Sequence, residues 1–499
     1  MTIFSLALAR LRVQTLLSPF VALPAILLLT ALVYLPSLDD WFVFHDFIHL
    51  GAAAAHSAGD YAKSVLDPGD GGESMFGTGK LYRPVYYLTM LGEQRVFGLH
   101  PFPYHLVNLS LHLLNVVLVW LIARKLTRNT LASYVAALVY GLHPVHYEAP
   151  AWISAITEVL LATFSFSAIY LFMRSLEERG VLSGLLCAGS FACAVLALGS
   201  REPGVSIFFI LPAYYFLFHA PQDWRRWQAW LRFIPFFVVL ATYALLRLNI
   251  SRAVGSGEGE TGVGSLGWHM FPNLFWFNGR ALVPIFTSLG PWLPVVAGLA
   301  AIALMRVHEE FFFRGGRAGR FVVAWWYLVL VPYSTAGWIQ WLTVGRYMYT
   351  ASGAFAILCG MFLVRLADAA PRWLEAVHWW RPSFGLAVRA APALAVIAVV
   401  PFLAWGTLHH QGTFSQWPGD SQAFVTQLQE TYPSLPAGGN LYVVDPPRAL
   451  FFADIPLYLG PAVHMFYPGV DGVTEVTRSE YEGIAPTLGR NDFVLFYRP

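Results

Sequence analysis

From Leu16 to Pro36 the chain runs without a single charged side chain, and predominantly apolar stretches recur at 104–123, 131–147, 151–173, 181–199, 204–219, 233–250, 290–305, 321–338, 350–366 and 388–407. A helix rising 1.5 Å per residue needs about 20 apolar residues to cross the hydrocarbon core of a bilayer. The pattern therefore predicts about eleven transmembrane helices. A twelfth apolar stretch, 271–287, is interrupted by Asn273, Asn278 and Arg280 and reads as interfacial or re-entrant. Hydrophobic residues make up 57% of the chain and charged residues 12%, against roughly 25% charged in a soluble domain. These values exclude a soluble globular enzyme and a disordered chain. The net charge of +2 gives no field for a polyanion, so the bilayer is an expected partner and nucleic acid is not.

Basic residues orient the spans. Arg10 and Arg12 precede the first, and Arg124, Lys125, Arg128, Arg174, Arg179, Arg225, Arg226, Arg232, Arg306, Arg314, Arg317 and Arg320 fall in loops on the same side. By the positive-inside rule that side is cytoplasmic. The first span lacks a short core and a small-residue cleavage site, so it is expected to stay uncleaved. The expected location is the cytoplasmic (inner) membrane of a prokaryote, with the C-terminus outside. Two outer segments are long. Residues 37–103 hold two helix-like pieces, HDFIHLGAAAAHS and RPVYYLTMLGEQRVFG. Residues 408–499 read as helix (SQAFVTQLQETY), strand (LYVVD) and a final strand (DFVLFY). The expected domains are 1–407, transmembrane with the large first loop, and 408–499, a small extracytoplasmic α/β domain. Cys187, Cys193 and Cys359 show neither disulfide nor zinc-ligand spacing.

Polar groups gather on one face. Asp39, Asp40, His45, Asp46 and His49 follow the first span. Lys80 and Arg83 precede RPVYY, His105, Asn108 and His112 run into the second span, and His143, His146 and Glu148 lie between the third and fourth. Arg201 and Glu202 follow the fifth, and Arg346 precedes the tenth. Ionisable groups at membrane depth are costly and are functional candidates by default. Asp46, in the apolar context WFVFHDFIHL, is the candidate general base, since burial raises a carboxyl pKa toward neutrality. A helix cap or an interfacial ion pair would use the same residue. Arg83, Arg201 and Arg346 suit a lipid-linked phosphate, because guanidinium forks onto phosphate oxygens and keeps its charge when buried. Glu202 is also a ready partner for the adjacent Arg201. His143, His146 and Glu148 offer metal-ligand chemistry, but their spacing fits no standard zinc pattern and Pro144 interrupts them. A structural or substrate-orienting role is favoured, no cofactor is required, and whether a metal binds stays open. His105 and Asn108 lie near helical spacing, where hydrogen bonding between helices is the cheaper use.

The motifs LYRPVYYLTMLGEQRVFGLHPFPYHLVN, HPVHYEAPAW, GSREPG, VPYSTAGW and VGRYMYTASG, in this order, resemble the membrane part of the transmembrane-and-TPR O-mannosyltransferases, members of the GT-C glycosyltransferase superfamily. The resemblance covers roughly residues 30–365, and no TPR array follows. It implies an all-α polytopic, GT-C-like membrane fold with the small C-terminal α/β domain appended. It further implies inverting transfer of a sugar from a polyprenyl-phosphate donor to an acceptor hydroxyl, on a protein, lipid or glycan, at the extracytoplasmic face. The family's catalytic acid lies in the first outer loop, usually as two adjacent acids; here FVFHD puts His45 in the first place and Asp46 in the second. On this basis Asp46 is the expected base and Arg346, Arg201 and Arg83 the phosphate ligands. His143, His146, Glu148, Glu202, Tyr347, Tyr349, His105 and Asn108 are expected to orient substrate. Trp41, Tyr82, Tyr86, Tyr87 and Trp152 would pack the sugar and prenyl chain. A lipid or solute transporter or flippase, or a non-catalytic binding or assembly protein of the same fold, would use the same residues differently.

Overall fold

The computed structural model describes residues 18–67, 82–253, 267–283, 292–335, 345–376, 384–451 and 456–498. Arg10, Arg12 and Lys80 lie outside the described residues, as does the end of the 321–338 segment. The helices of the first half are α1 (Pro19–Tyr34), α2 (His45–Ala55), α3 (Ala58–Leu66), α4 (Pro84–Phe97), α5 (Pro101–Thr127), α6 (Thr130–Leu142), α7 (Ile156–Ser175), α8 (Gly180–Ser200), α9 (Ile207–Phe218) and α10 (Ile234–Ala253). There follow α11 (Met270–Leu282), α12 (Leu293–Arg314), α13 (Gly316–Ser334), α14 (Ser352–Ala376), α15 (Phe384–Phe414), α16 (Gln416–Thr431), α17 (Leu459–Phe466) and α18 (Arg478–Ile484).

Each of the eleven apolar stretches coincides with a helix. Among the described residues, six helical segments are long and apolar enough to cross a bilayer: Pro19–Asp39, Pro101–Thr127, Ile153–Ser175, Gly180–Ser200, Trp227–Leu246 and Ser352–Ala369. α8 and α10 carry strongly exposed apolar side chains, among them Val181, Leu185, Val238 and Leu245, as expected of surfaces that meet lipid. The 131–147 segment is shorter than its apolar pattern suggested. α6 stops at Leu142 because His143 precedes a proline and is held extended. α11, at 13 residues, is too short to span; it packs on α12, with Gly279 close against the Ala297 carbonyl.

Local chemistry explains the outer segment. Proline opens α1, α4 and α5, where its missing N–H costs nothing. Gly98, at φ +60°, supplies the left-handed turn between α4 and α5. The C-terminal segment holds a three-stranded parallel sheet in the order β2–β1–β3, formed by β1 (Asn440–Val444), β2 (Gly472–Val476) and β3 (Asp492–Phe496). Leu441 of β1 pairs with Val473 on one side and Phe493 on the other. Parallel strands need crossovers, and α17 and α18 provide them.

Apolar burial divides between two clusters. The larger lies among the bundle helices and includes Tyr34, Val116, Tyr140, Phe166, Trp325 and Trp326. The second joins the first outer loop to the C-terminal segment. Phe42, Phe47 and Leu50 from the loop, and Tyr86 and Tyr87 from α4, pack with Phe424, Leu441, Tyr458 and Leu459. α17 lies directly on α2: a Cβ on Gly51 would stand 3.7 Å from the Met465 Cβ. α15 runs unbroken past residue 407, where the Thr407 hydroxyl donates to the Leu142 carbonyl at 2.8 Å.

Candidate active site

Phe44 adopts φ +51°, a region costly for a residue with a Cβ. The next two residues, His45 and Asp46, open α2. Asp46 is fully buried. Its Oδ2 accepts from the Val43 N–H at 3.0 Å, and its Oδ1 accepts from the Ser154 N–H at 2.8 Å and from the Ser154 hydroxyl. Burial pushes its pKa up to about 7, with these hydrogen bonds acting in the opposite direction. Asp46 thus locks the first outer loop to the segment before α7. Asp40, also raised by burial, to about 6, accepts from Ser415 at 3.2 Å.

The HPVHYEAPAW stretch folds as short helical turns beneath this loop. Trp152 and Glu148 from it both engage Arg346: the Glu148 carboxylate lies 3.4 Å from the guanidinium, which stacks 4.9 Å over the Trp152 ring. Tyr347 is shared, with Arg346 and Arg201 each 5.1 Å from its ring centre. Burial would raise the Tyr347 pKa, but the two arginines more than reverse this and leave it lowered. Arg201 pairs with Glu158 at 3.2 Å, and the Tyr333 hydroxyl donates to the same carboxylate at 2.6 Å. Arg83 forks onto Glu202 at 2.7–3.1 Å. Each of the three arginines expected from the sequence therefore has a glutamate partner. For Arg201 it is Glu158, in place of the adjacent Glu202, which takes Arg83.

The three guanidiniums converge electrostatically on His45. Burial first, then Arg346, Arg83 and Arg201, lower its pKa to about 3, so the imidazole is neutral. Its Nδ1 lies 3.3 Å from the Tyr458 hydroxyl of the C-terminal segment, and its ring meets those of His49, Trp152 and Tyr458. His45 is only partly buried, in contrast to Asp46 beside it.

Other expected site residues are occupied in holding the bundle together. His105 Nε2 bonds the Asp40 carbonyl at 3.0 Å, and Asn108 donates to the Trp152 carbonyl at 2.9 Å. His143 Nε2 bonds the Ala281 carbonyl at 3.0 Å and His146 Nε2 the Tyr140 carbonyl at 2.9 Å. The Tyr349 hydroxyl meets His112 Nδ1 at 2.8 Å and accepts from Asn115 at 3.2 Å. Among the described residues, no three His, Cys, Asp or Glu side chains are grouped to hold a metal ion. Glu158, Tyr333 and Tyr458 were not among the sequence candidates. A carboxylate inside an apolar run (ITEVLLATF) was the available signal for Glu158. Nothing local marks Tyr458.

Residues 84–247 match the family described as Dolichyl-phosphate-mannose-protein mannosyltransferase. The chain is similar to Protein O-mannosyl-transferase TMTC1 of Homo sapiens, 31% identical over 147 residues, covering 27% of this chain and 16% of that one. It is also similar to Protein O-mannosyl-transferase Tmtc3 of Drosophila melanogaster, 31% identical over 155 residues, covering 26% and 16%. The alignments thus span less than a fifth of these relatives' own length. Among solved structures, ArnT from Cupriavidus metallidurans in the apo state superposes with a TM-score of 0.51 at 15% identity, covering 93% of this chain and 94% of that one, which shows a shared fold. The matched segment thus resembles a mannosyltransferase family over about a third of the chain, and the chain as a whole shares the fold of ArnT.

Proposed function

We propose that the protein transfers a sugar, with inversion, from a polyprenyl-phosphate donor to an acceptor hydroxyl at the extracytoplasmic face of its membrane. The observation that carries this reading is the set of three largely buried, glutamate-paired arginines, of which Arg346 lies over the Trp152 ring that His45 also meets. Guanidinium groups in a water-poor setting stabilise the charge that grows on a departing phosphate. Phosphate is already a good leaving group, so a strong general acid is not needed. The matched family's description names a dolichyl-phosphate-linked mannose donor, and the similar relatives are named as O-mannosyltransferases. We extend that donor chemistry to this chain.

The first outer loop carries the proton acceptor in this reading. Asp46, with its raised pKa, is the acid at the family's position. The C-terminal segment packs on this loop through α17 and Tyr458. A second reading, a non-catalytic binding protein of the same fold, draws on one observation: three of the hydrogen bonds Asp46 can accept are already taken by the framework. Purified protein supplied with synthetic polyprenyl-phosphate mannose and a hydroxyl acceptor tests the two. Glycoside formation that is lost in Arg346→Ala supports transfer. Tight donor binding with no product favours the binding protein.

A further inference from the structure

Two neighbouring residues of the first outer loop have opposite surroundings. Asp46 points into protein, fully buried, with both carboxylate oxygens engaged by Val43 and Ser154. His45 is partly exposed, with Trp152 and Tyr458 against its ring, and Arg346 lies over the same Trp152 ring. We infer that His45, and not the carboxylate beside it, takes the acceptor's proton, while Tyr458 fixes the imidazole and Asp46 fixes the loop that carries it. This rests on the transfer reading above and assigns the proton acceptor within it.

The step requires one of the two tautomers that the His45–Tyr458 contact accommodates. With hydrogen on Nδ1, the ring donates to the Tyr458 hydroxyl oxygen across 3.3 Å, and Nε2 carries the lone pair. The bond that one ring nitrogen makes sets the role of the other. In the step, the acceptor O–H breaks and its proton goes to Nε2. The acceptor oxygen bonds the anomeric carbon as the bond from that carbon to the phosphate oxygen breaks. The electron pair of that bond stays on the phosphate, which leaves as the polyprenyl monoester. The imidazolium then returns its proton to water. Asp46 and Tyr458 act through position, while His45 meets the acceptor hydroxyl.

Electrostatics adds timing. The charges that act on His45 are Arg83, just before α4, and Arg201 and Arg346 from the loops; His49 of α2 stacks on its ring, and Tyr86 and Tyr87 of α4 meet His49 in turn. Tyr458 lies just before α17, with the exposed His464 farther along that helix. Glu148, Glu158 and Glu202 stand behind the arginines. In the free protein, burial and the guanidiniums oppose any positive charge on the ring. A bound donor phosphate offsets the guanidiniums, and the second negative charge released as the sugar–phosphate bond breaks offsets them further. The base therefore strengthens only when donor is present and its bond is parting.

The test uses the full-length protein in detergent with polyprenyl-phosphate mannose and water as acceptor, reading release of free mannose, alongside displacement of a fluorescent polyprenyl phosphate as a measure of donor binding. His45→Asn should lower turnover by roughly 100-fold or more, the size of a general-base contribution, with donor affinity within about threefold of wild type. Asp46→Asn should lower the melting temperature and cut turnover less than about tenfold. The acid limb of kcat should lie at higher pH than that of kcat/KM. Tyr458→Phe should reduce kcat with KM unchanged. Turnover of His45→Asn within about threefold of wild type overturns the assignment, as does loss of turnover in a folded Asp46→Asn protein. Equal mannose release by wild type and Arg346→Ala is a different failure, because it overturns the transfer reading itself.

Discussion

Arg83 and Glu202, 119 positions apart, are joined by three hydrogen bonds of 2.7–3.1 Å with little of either side chain exposed. Removing one partner of such a pair leaves the other charge buried and alone, which costs about 3–5 kcal/mol, whereas replacing both with apolar groups is often neutral. Glu202→Ala should therefore lower the melting temperature in detergent markedly. The double variant Arg83→Met with Glu202→Leu should recover most of that stability but not polyprenyl-phosphate binding. Recovery of both would remove Arg83 from the phosphate site.

Arg346 is held by planar stacking on Trp152 and by Glu148. Lysine keeps the charge but loses the fork and the stacking face. Arg346→Lys should cut kcat for sugar transfer by roughly 10–100-fold, with a smaller change in KM. An unchanged kcat would show that charge alone suffices there.

Two carboxyls in the segment between α1 and α5 make stability depend on pH. Burial raises Glu93 from 4.5 to about 8 and Asp46 from 3.8 to about 7. Between the unfolded and folded values the native state holds protons that the unfolded chain has released, so stability falls as pH rises. Their contribution is complete below about pH 4 and is lost as pH passes through about 7 and then 8. Glu93→Gln should raise the melting temperature at pH 9 and leave it nearly unchanged at pH 4. A gain of the same size at both values would contradict this.

Gly51 lies where α2 meets α17. Alanine fits there in ordinary contact, whereas leucine would push the two helices apart. Gly51→Ala should be close to neutral. Gly51→Leu should lower both stability and transfer, and limited proteolysis should then release the C-terminal segment. Equal proteolysis of both variants would argue that this contact does not hold the segment in place.

The helices were legible because hydrophobic periodicity is local. Every apolar stretch became a helix, and both helix-like pieces of the first loop did so at α2 and α4. The three arginines were legible for a related reason, since charge in apolar surroundings stands out. Pairing was not. Arg346 finds Glu148 across 198 positions, and His45 finds Tyr458 across 413; no spacing rule reaches so far. Glu158 carried the same signal, an acid inside the apolar run ITEVLLATF, but its role shows only when Arg201 and Tyr333 are seen beside it. Conversely, His105, Asn108, His143 and His146 look chemically rich but are occupied by main-chain carbonyls. Composition cannot distinguish a reactive histidine from one that staples two helices.

The pairing of each of the three site arginines with its own glutamate would have a kinetic consequence in the transfer proposed above. A cluster of bare cations would grip a spent polyprenyl phosphate as firmly as it gripped the donor, and turnover would stall on product. Glu148, Glu158 and Glu202 would instead act as resident counter-ions that reclaim Arg346, Arg201 and Arg83 as the lipid phosphate departs. Such a site would trade some affinity for turnover.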